Sequence, residues 1–323
     1  MIDAALNFLS KHSSIIITTH DPADPDGLGA EMVLYYITKS LGKKVRIINA
    51  SSVPESYHFM DTDKKIEPWK ELAKPVSGDA ALVILDTSDE YHLGETRHII
   101  PLVSEIFVID HHEPNQFCTF NGWIDNTASS VCEMAVELAQ AAGITLSAEY
   151  AKAAYAGIVY DSGFFAYPKT TERTFNAALA LIKAGVNPYE TYSNLNENFS
   201  TATLLLQKKA FSSLELHNQD RVAIQIVRMS DMESVGASSE DTQNFVNIPL
   251  RSKGIEVSIL LKENKEGHVK CSIRSKGKVN VSRLAQTMGG GGHVTAAGFK
   301  SKTNIDETLD IILEKVSKAL EEK

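Results

Sequence analysis

Apolar positions in the first half of the chain fall into short runs separated by segments with a helical period. Ile15 to Thr19, Val45 to Ile48, Ala80 to Leu85 and Ile106 to Ile109 predict strands. The last two are apolar on both faces, as strands of a sheet covered on both sides are. Helical spacing predicts helices over Glu31–Leu41, Val131–Ala142, Ala148–Tyr160 and Glu172–Ala184. Gly42, Gly143 and Gly185 act as stops, and Pro188 lies just beyond the last. Strand and helix in alternation argue for an open α/β sheet, parallel, with right-handed crossovers.

The pattern changes after Pro188. Residues 189–216 read as helical and rich in polar side chains, a bridge between domains. Val222–Val227, Ile255–Leu261 and Val269–Ile273 then read as strands, Val281–Met288 as a helix, and Ile305–Leu320 as an amphipathic helix. The expected division is a domain over 1–188, a helical linker over 189–215, and a smaller α/β domain over 216–323. The length, 323 residues, suits two domains of ordinary size.

Composition narrows the class. With 43% hydrophobic and 23% charged residues the chain is that of a globular protein, and its net charge of −9 argues against coating long duplexes. Cys118, Cys132 and Cys271 are too sparse for a disulfide framework or a CxxC zinc site. No apolar run reaches the roughly 20 residues that span a bilayer. The first residues lack a basic start and apolar core, so a cytoplasmic protein is expected.

Position makes the acidic residues informative. His20 follows the first strand, in His20-Asp21-Pro22-Ala23-Asp24-Pro25-Asp26-Gly27. Asp86 ends the Ala80–Leu85 run, and Asp110-His111-His112 ends the Ile106–Ile109 run. Ligands of a parallel α/β sheet bind outside the carboxyl ends of its strands. Asp161, closing a helix, is a fourth candidate. Any one of these aspartates alone reads as a helix cap or an Asx turn. Asp or His after three buried strands, with paired histidines, does not reduce to that. Pro22, Pro25, Gly27 and Gly29 predict a stiff loop that aims carboxylates inward. Aspartates with imidazoles suit a pair of divalent ions such as Mn²⁺ or Mg²⁺. There is no GxxxxGK[ST] loop, and Gly27-Leu28-Gly29 has Met32 where a dinucleotide fingerprint needs its third glycine.

At these residues the sequence resembles the DHH phosphoesterase superfamily, and its spacing is similar to that of the nanoRNase subgroup, which includes adenosine 3′,5′-bisphosphate phosphatases. The four N-terminal motifs appear in order: the His-x3-Asp-x-Asp loop, Asp86, the DHH tripeptide Asp110-His111-His112, and Asp161. Gly289-Gly290-Gly291-Gly292-His293, with Ala296-Ala297-Gly298 after it, resembles the signature of the DHH-associated C-terminal substrate domain. The resemblance implies a cleft between the two domains and two divalent cations, Mn²⁺ first, with Mg²⁺ or Co²⁺ as alternatives. His20, Asp24 and Asp86 would hold one ion; Asp26, Asp86, His111 and Asp161 the other. Asp110 would orient His111 from behind, and His112 would face the substrate phosphate.

Between residues 251 and 283 nine lysines and arginines stand against three glutamates. Most read as a solvated, lysine-rich hairpin. Arg274 closes a strand, and the resemblance places Arg274-Ser275 near the substrate phosphate. Gly290, Gly291, Gly292 and His293 would form an anion nest beside them. The function implied is hydrolysis of short oligoribonucleotides to nucleoside monophosphates, with adenosine 3′,5′-bisphosphate as a second substrate. The expected partners are short single-stranded RNA or small nucleotides, with no long duplex and no membrane; a homodimer stays open. The rivals are a cyclic or linear dinucleotide phosphodiesterase, an inorganic pyrophosphatase, a RecJ-like exonuclease and a non-enzymatic nucleotide sensor.

Overall fold

The computed structural model describes residues 1–113, 120–242, 244–292 and 294–321. It divides into two compact units, Met1–Asn198 and Phe199–Lys323. The helical stretch expected over 189–215 comprises two helices, Pro188–Asn196 in the first unit and Thr201–Ser212 in the second.

In the first unit, strands β1 (Ser14–Thr18), β2 (Lys44–Asn49), β3 (Ile66–Pro68), β4 (Ala81–Leu85), β5 (Glu105–Asp110) and β6 (Asn121–Ile124) form one sheet in the order β3-β2-β1-β4-β5-β6. Every pairing is parallel. Chain order reverses between β1 and β4, the switch point at which an open parallel sheet leaves a crevice. The central strands are apolar because both faces are covered. Ile15 and Ile17 face one core, with residues of the helices α1 (Ile2–Lys11), α2 (Pro25–Ser40), α3 (Val131–Ala141), α4 (Ala148–Asp161) and α5 (Glu172–Lys183). Ile16, Leu82 and Ile84 face the other, with Leu93 and Ile99.

Helix α2 differs from its expected form, beginning at Pro25 rather than Glu31. Asp24 is its N-cap, with Oδ1 accepting from the amides of Asp26 (3.0 Å) and Gly27 (3.2 Å), and Pro25 sits at N1, where a missing N–H costs nothing. Gly27 and Gly29 are therefore helical, not loop. Their role is close approach: a Cβ on Gly27 would lie 2.3 Å from Thr19 Oγ1, and one on Gly29 2.5 Å from the Ala153 carbonyl oxygen. Glycine inside a helix costs roughly 1 kcal/mol against alanine; here that cost is offset by drawing α2 onto β1 and α4.

The second unit is also α/β, with a mixed sheet. Strands β7 (Glu215–His217), β8 (Val222–Val227), β9 (Val257–Glu263), β10 (Val269–Ser275), β11 (Gly291–Gly292) and β12 (Ala296–Ser301) lie in the order β11-β12-β10-β9-β8-β7. Only β8 and β9 run parallel. Alternate residues of the central strands pack with Ile305, Ile312 and Val316 of the last helix, Ile305–Glu321. The opposite face packs Leu260 and Val227 with Leu206, Met232 and Phe245.

Candidate active site

The carboxyl ends of β1, β4 and β5 deliver the first unit's candidate residues to one place. His20 follows β1, and its Nε2 lies 3.4 Å from Asp86 Oδ2 and 3.6 Å from Asp24 Oδ1. Asp86 follows β4, its backbone at φ 61° while its amide still donates to the Ile109 carbonyl at 3.0 Å. His111 follows β5. Its Nε2 lies 3.3 Å from Asp86 Oδ1, 3.3 Å from Asp161 Oδ2 and 3.6 Å from Asp26 Oδ2. All six residues expected to hold metal thus stand in two adjoining groups, with Asp86 in both.

Asp26 is fixed by more than its own helix. Its Oδ2 accepts from the Val131 amide (2.7 Å) and its Oδ1 from the Cys132 amide (2.9 Å), so a carboxylate near the start of α2 also sits on the N-terminus of α3. Asp161 is placed by the end of α4.

Asp110 departs from its expected task. Its Oδ1 accepts from the His112 backbone N–H (3.1 Å) and pairs with His112 Nδ1 at 2.7 Å. His111 Nδ1 faces the Ala128 carbonyl at 3.4 Å instead. The correction has a simple cause: successive side chains leaving a strand point apart, and the one two positions on returns to Asp110. A backbone carbonyl that orients His111 carries no side-chain signal in sequence, nor does the Lys169 Nζ that donates to the His111 carbonyl at 3.1 Å. Thr19 is another residue missed, its Oγ1 donating to the Leu85 carbonyl just ahead of Asp86.

Electrostatics show what the cluster lacks. Burial pushes Asp26 well above the usual carboxylate range, with Asp86 and Asp161 adding repulsion. Burial likewise lifts Asp161 to about 6. Burial alone would raise Asp86, but His111 and His20 hold it well below its ordinary value. Burial opposes charge on His111, yet Asp86, Asp26 and Asp161 lift it to about 10. Protons are here filling a demand for positive charge. Asp86 Oδ1, moreover, is buried without a hydrogen-bond partner. That orphaned oxygen lies 3.3 Å from His111 Nε2, which is itself 3.3 Å from Asp161 Oδ2 and 3.6 Å from Asp26 Oδ2, an arrangement that fits a shared divalent cation. Ligand atoms at about 2.1 Å from one ion lie roughly 3 Å apart.

The substrate residues expected in the second unit fare less evenly. Arg274 and Ser275 are successive on β10 and so belong to opposite faces. Ser275 is buried, and its Oγ donates to the Val279 carbonyl at 2.7 Å, closing a turn. The glycine run is not the nest expected. The amides of Gly289 and Gly290 donate to the Gln286 and Ala285 carbonyls, and Gly291–Gly292 form an edge strand opposite Gly298 and Ala297. A Cβ on Gly290 would lie 2.1 Å from the Gly298 carbonyl oxygen and one on Gly292 2.4 Å from the Ala296 carbonyl oxygen, so these two glycines serve strand contact. His293 lies outside the described residues, as does Cys118; Cys132 and Cys271 are free and buried. Among the described residues no helix is long and apolar enough to cross a membrane.

Known proteins resemble the chain over most of its length. The model of the DHH family N-terminal domain matches residues 14–158, and that of the DHHA1 domain matches 219–322. The chain is 29% identical over 307 residues to the bifunctional oligoribonuclease and PAP phosphatase NrnA of Thermus thermophilus, covering 95% of this chain and 90% of that one. It is 26% identical over 315 residues to the cyclic-di-AMP phosphodiesterase GdpP of Geobacillus thermodenitrificans, covering 91% of this chain and 45% of that protein. The crystal structure of an exopolyphosphatase-related protein from Bacteroides fragilis superposes with a TM-score of 0.91 at 26% identity, over 99% of this chain and 97% of the other.

Proposed function

From the DHH-family N-terminal domain over residues 14–158 and the DHHA1 domain over 219–322, we propose that the chain hydrolyses short oligoribonucleotides to nucleoside monophosphates and removes the 3′-phosphate of adenosine 3′,5′-bisphosphate. The observation that carries the reading is the double membership of Asp86, which lies within ligand distance of His20 on one side and His111 on the other. Two divalent cations, Mn²⁺ by preference, would be held by His20, Asp24 and Asp86 and by Asp26, Asp86, His111 and Asp161. When bound they supply Lewis-acid polarisation of the phosphoryl oxygens and a lowered pKa for the attacking water.

The remaining roles fall to the chain's own groups. Asp110 holds the His112 imidazole through Nδ1, and in this reading that imidazole meets the substrate and protonates the leaving oxygen. The Ala128 carbonyl orients His111 in the same manner. Arg274 is read as a ligand of a substrate phosphate, with Gly290, Gly291 and Gly292 as further substrate residues of the second unit. Ser275 supports the turn and makes no substrate contact in this reading.

A cyclic or linear dinucleotide phosphodiesterase is the second reading, favoured by the similarity to a cyclic-di-AMP phosphodiesterase. One assay separates them. Purified protein is given a 5′-labelled diribonucleotide, a pentaribonucleotide, adenosine 3′,5′-bisphosphate, cyclic di-AMP and pyrophosphate, with Mn²⁺ or with chelator. Turnover of the ribonucleotides and the bisphosphate, lost on chelation, is expected. Turnover of cyclic di-AMP or pyrophosphate alone overturns the proposal.

A further inference from the structure

The second unit holds a cavity of about 630 Å³ at the turn end of the β9–β10 hairpin, lined by Met229 and Met232 as well as Lys262, Lys270 and Lys300. Strand register sets the three lysines in a row: Lys262 stands directly opposite Lys270, and Lys270 opposite Lys300. Directly opposed residues share a face about 5 Å apart, where like charges destabilise a sheet. Neutralisation is slight: Glu240 acts on Lys262 only through space. Among the described residues none of the three has a carboxylate partner, and Lys262 spends its ammonium on two neutral oxygens, the Ser239 carbonyl (2.8 Å) and Thr242 Oγ1 (3.0 Å). Glu263, in the same lining, accepts from the Met229 amide instead. Burial, with Lys270 adding repulsion, lowers the Lys262 amine to about 8. A row of cations held at such expense, facing a methionine wall, matches a ligand with several negative charges at one end and a flat apolar body at the other.

We propose that this cavity is an anion site of the second unit that takes a free nucleotide bearing two or more phosphates, the lysine row binding the phosphates and Met229 and Met232 packing on the base. Arg274 lies on the same face of β10, four residues or about 13 Å away, so the row is not part of its immediate surroundings.

Calorimetric titration of ADP, pyrophosphate and adenosine into the full chain, with divalent ions chelated, tests it. ADP is expected to bind saturably, pyrophosphate more weakly and adenosine not at all. Lys270→Glu and Lys300→Glu should each weaken ADP about tenfold or more, the loss of one charge-assisted phosphate contact. Lys270→Gln, which relieves repulsion, should raise the Tm of the ligand-free protein and abolish the rise that ADP produces in the wild type. Hydrolysis of a dinucleotide by Lys270→Glu should keep its KM. Absence of saturable ADP binding at millimolar concentration, or equal affinity in wild type and both charge-reversal variants, overturns the proposal. A raised dinucleotide KM without ADP binding overturns it too, and gives the row to the far phosphates of the substrate.

Discussion

Asp86 is held at φ 61°, a left-handed conformation that aspartate and asparagine tolerate and most residues do not. That selects the variant. Asp86→Asn keeps the backbone and removes the charge that both ligand groups share, so kcat should fall by on the order of 10³ or more, and the chelated protein should melt somewhat lower because His111 and His20 lose their carboxylate partner. Asp86→Ala should lose the same activity and a further 1–2 kcal/mol or so of stability, from strain at φ > 0. Kinetics, bound-metal analysis and thermal denaturation of the pair check both statements; full activity in either removes Asp86 from the site. Glu31 shows the opposite economy. It is buried in α2 with Oε2 accepting from Asn49 Nδ2 at 2.9 Å, while Oε1 has no partner. Burial raises its carboxyl from 4.5 to about 8. The folded state therefore keeps a proton that the unfolded chain gives up, and stability declines as pH rises from about 4.5 to about 8. Glu31→Gln should remove a few kcal/mol of that decline, judged by Tm at pH 5 and pH 9. An unchanged slope between those pH values would show that Glu31 is not the group responsible.

At the scale of elements, the site depends on how tightly helices approach the sheet. A Cβ on Gly157 of α4 would lie 2.3 Å from Cys132 Sγ, 2.8 Å from the Pro25 carbonyl oxygen and 3.0 Å from Asp26 Cα. Gly157→Ala should cost about 1–3 kcal/mol by overpacking and, by moving Asp26, reduce metal affinity as well. Loss of stability with unchanged metal affinity would confine the effect to the core. The same tightness explains what the sequence showed and what it hid. The strands β1, β4 and β5 were legible because burial on both faces leaves only apolar residues, and the residues just past them were legible because sheet ends are where ligands lie. The start of α2 was not, since Gly27 and Gly29 read locally as turn residues and their helical use becomes visible only when Thr19 and Ala153 are placed against them. Strands β3 and β6, of three and four residues, are too short to carry a period. The partner of His111 is a backbone carbonyl, which no residue type announces.

Across the whole molecule, charge is the variable that composition concealed. Within the net −9, carboxylates crowd at one sheet edge while lysines stand in a row on another sheet. A crowd of like charges weakens the ligand-free fold, so Mn²⁺ should add stability of roughly 3 kcal/mol at a hundred times Kd, with Tm rising as the logarithm of its concentration. Differential scanning calorimetry of wild type and Asp86→Asn checks this; an equal shift in both places the ion elsewhere. The ligand set also has a history in the making of the protein. His20 and Asp161 are 141 positions apart, and the groups between them come from three separate strands and two helices. A nascent chain therefore offers an ion no complete cradle, because residues 20–26 supply His20, Asp24 and Asp26 but Asp86, His111 and Asp161 arrive only after long loops have closed. On the proposed ligand set, loading would wait for the sheet, and ions would enter a finished domain from whatever pool surrounds it at that moment, not a chain still being threaded out of the ribosome.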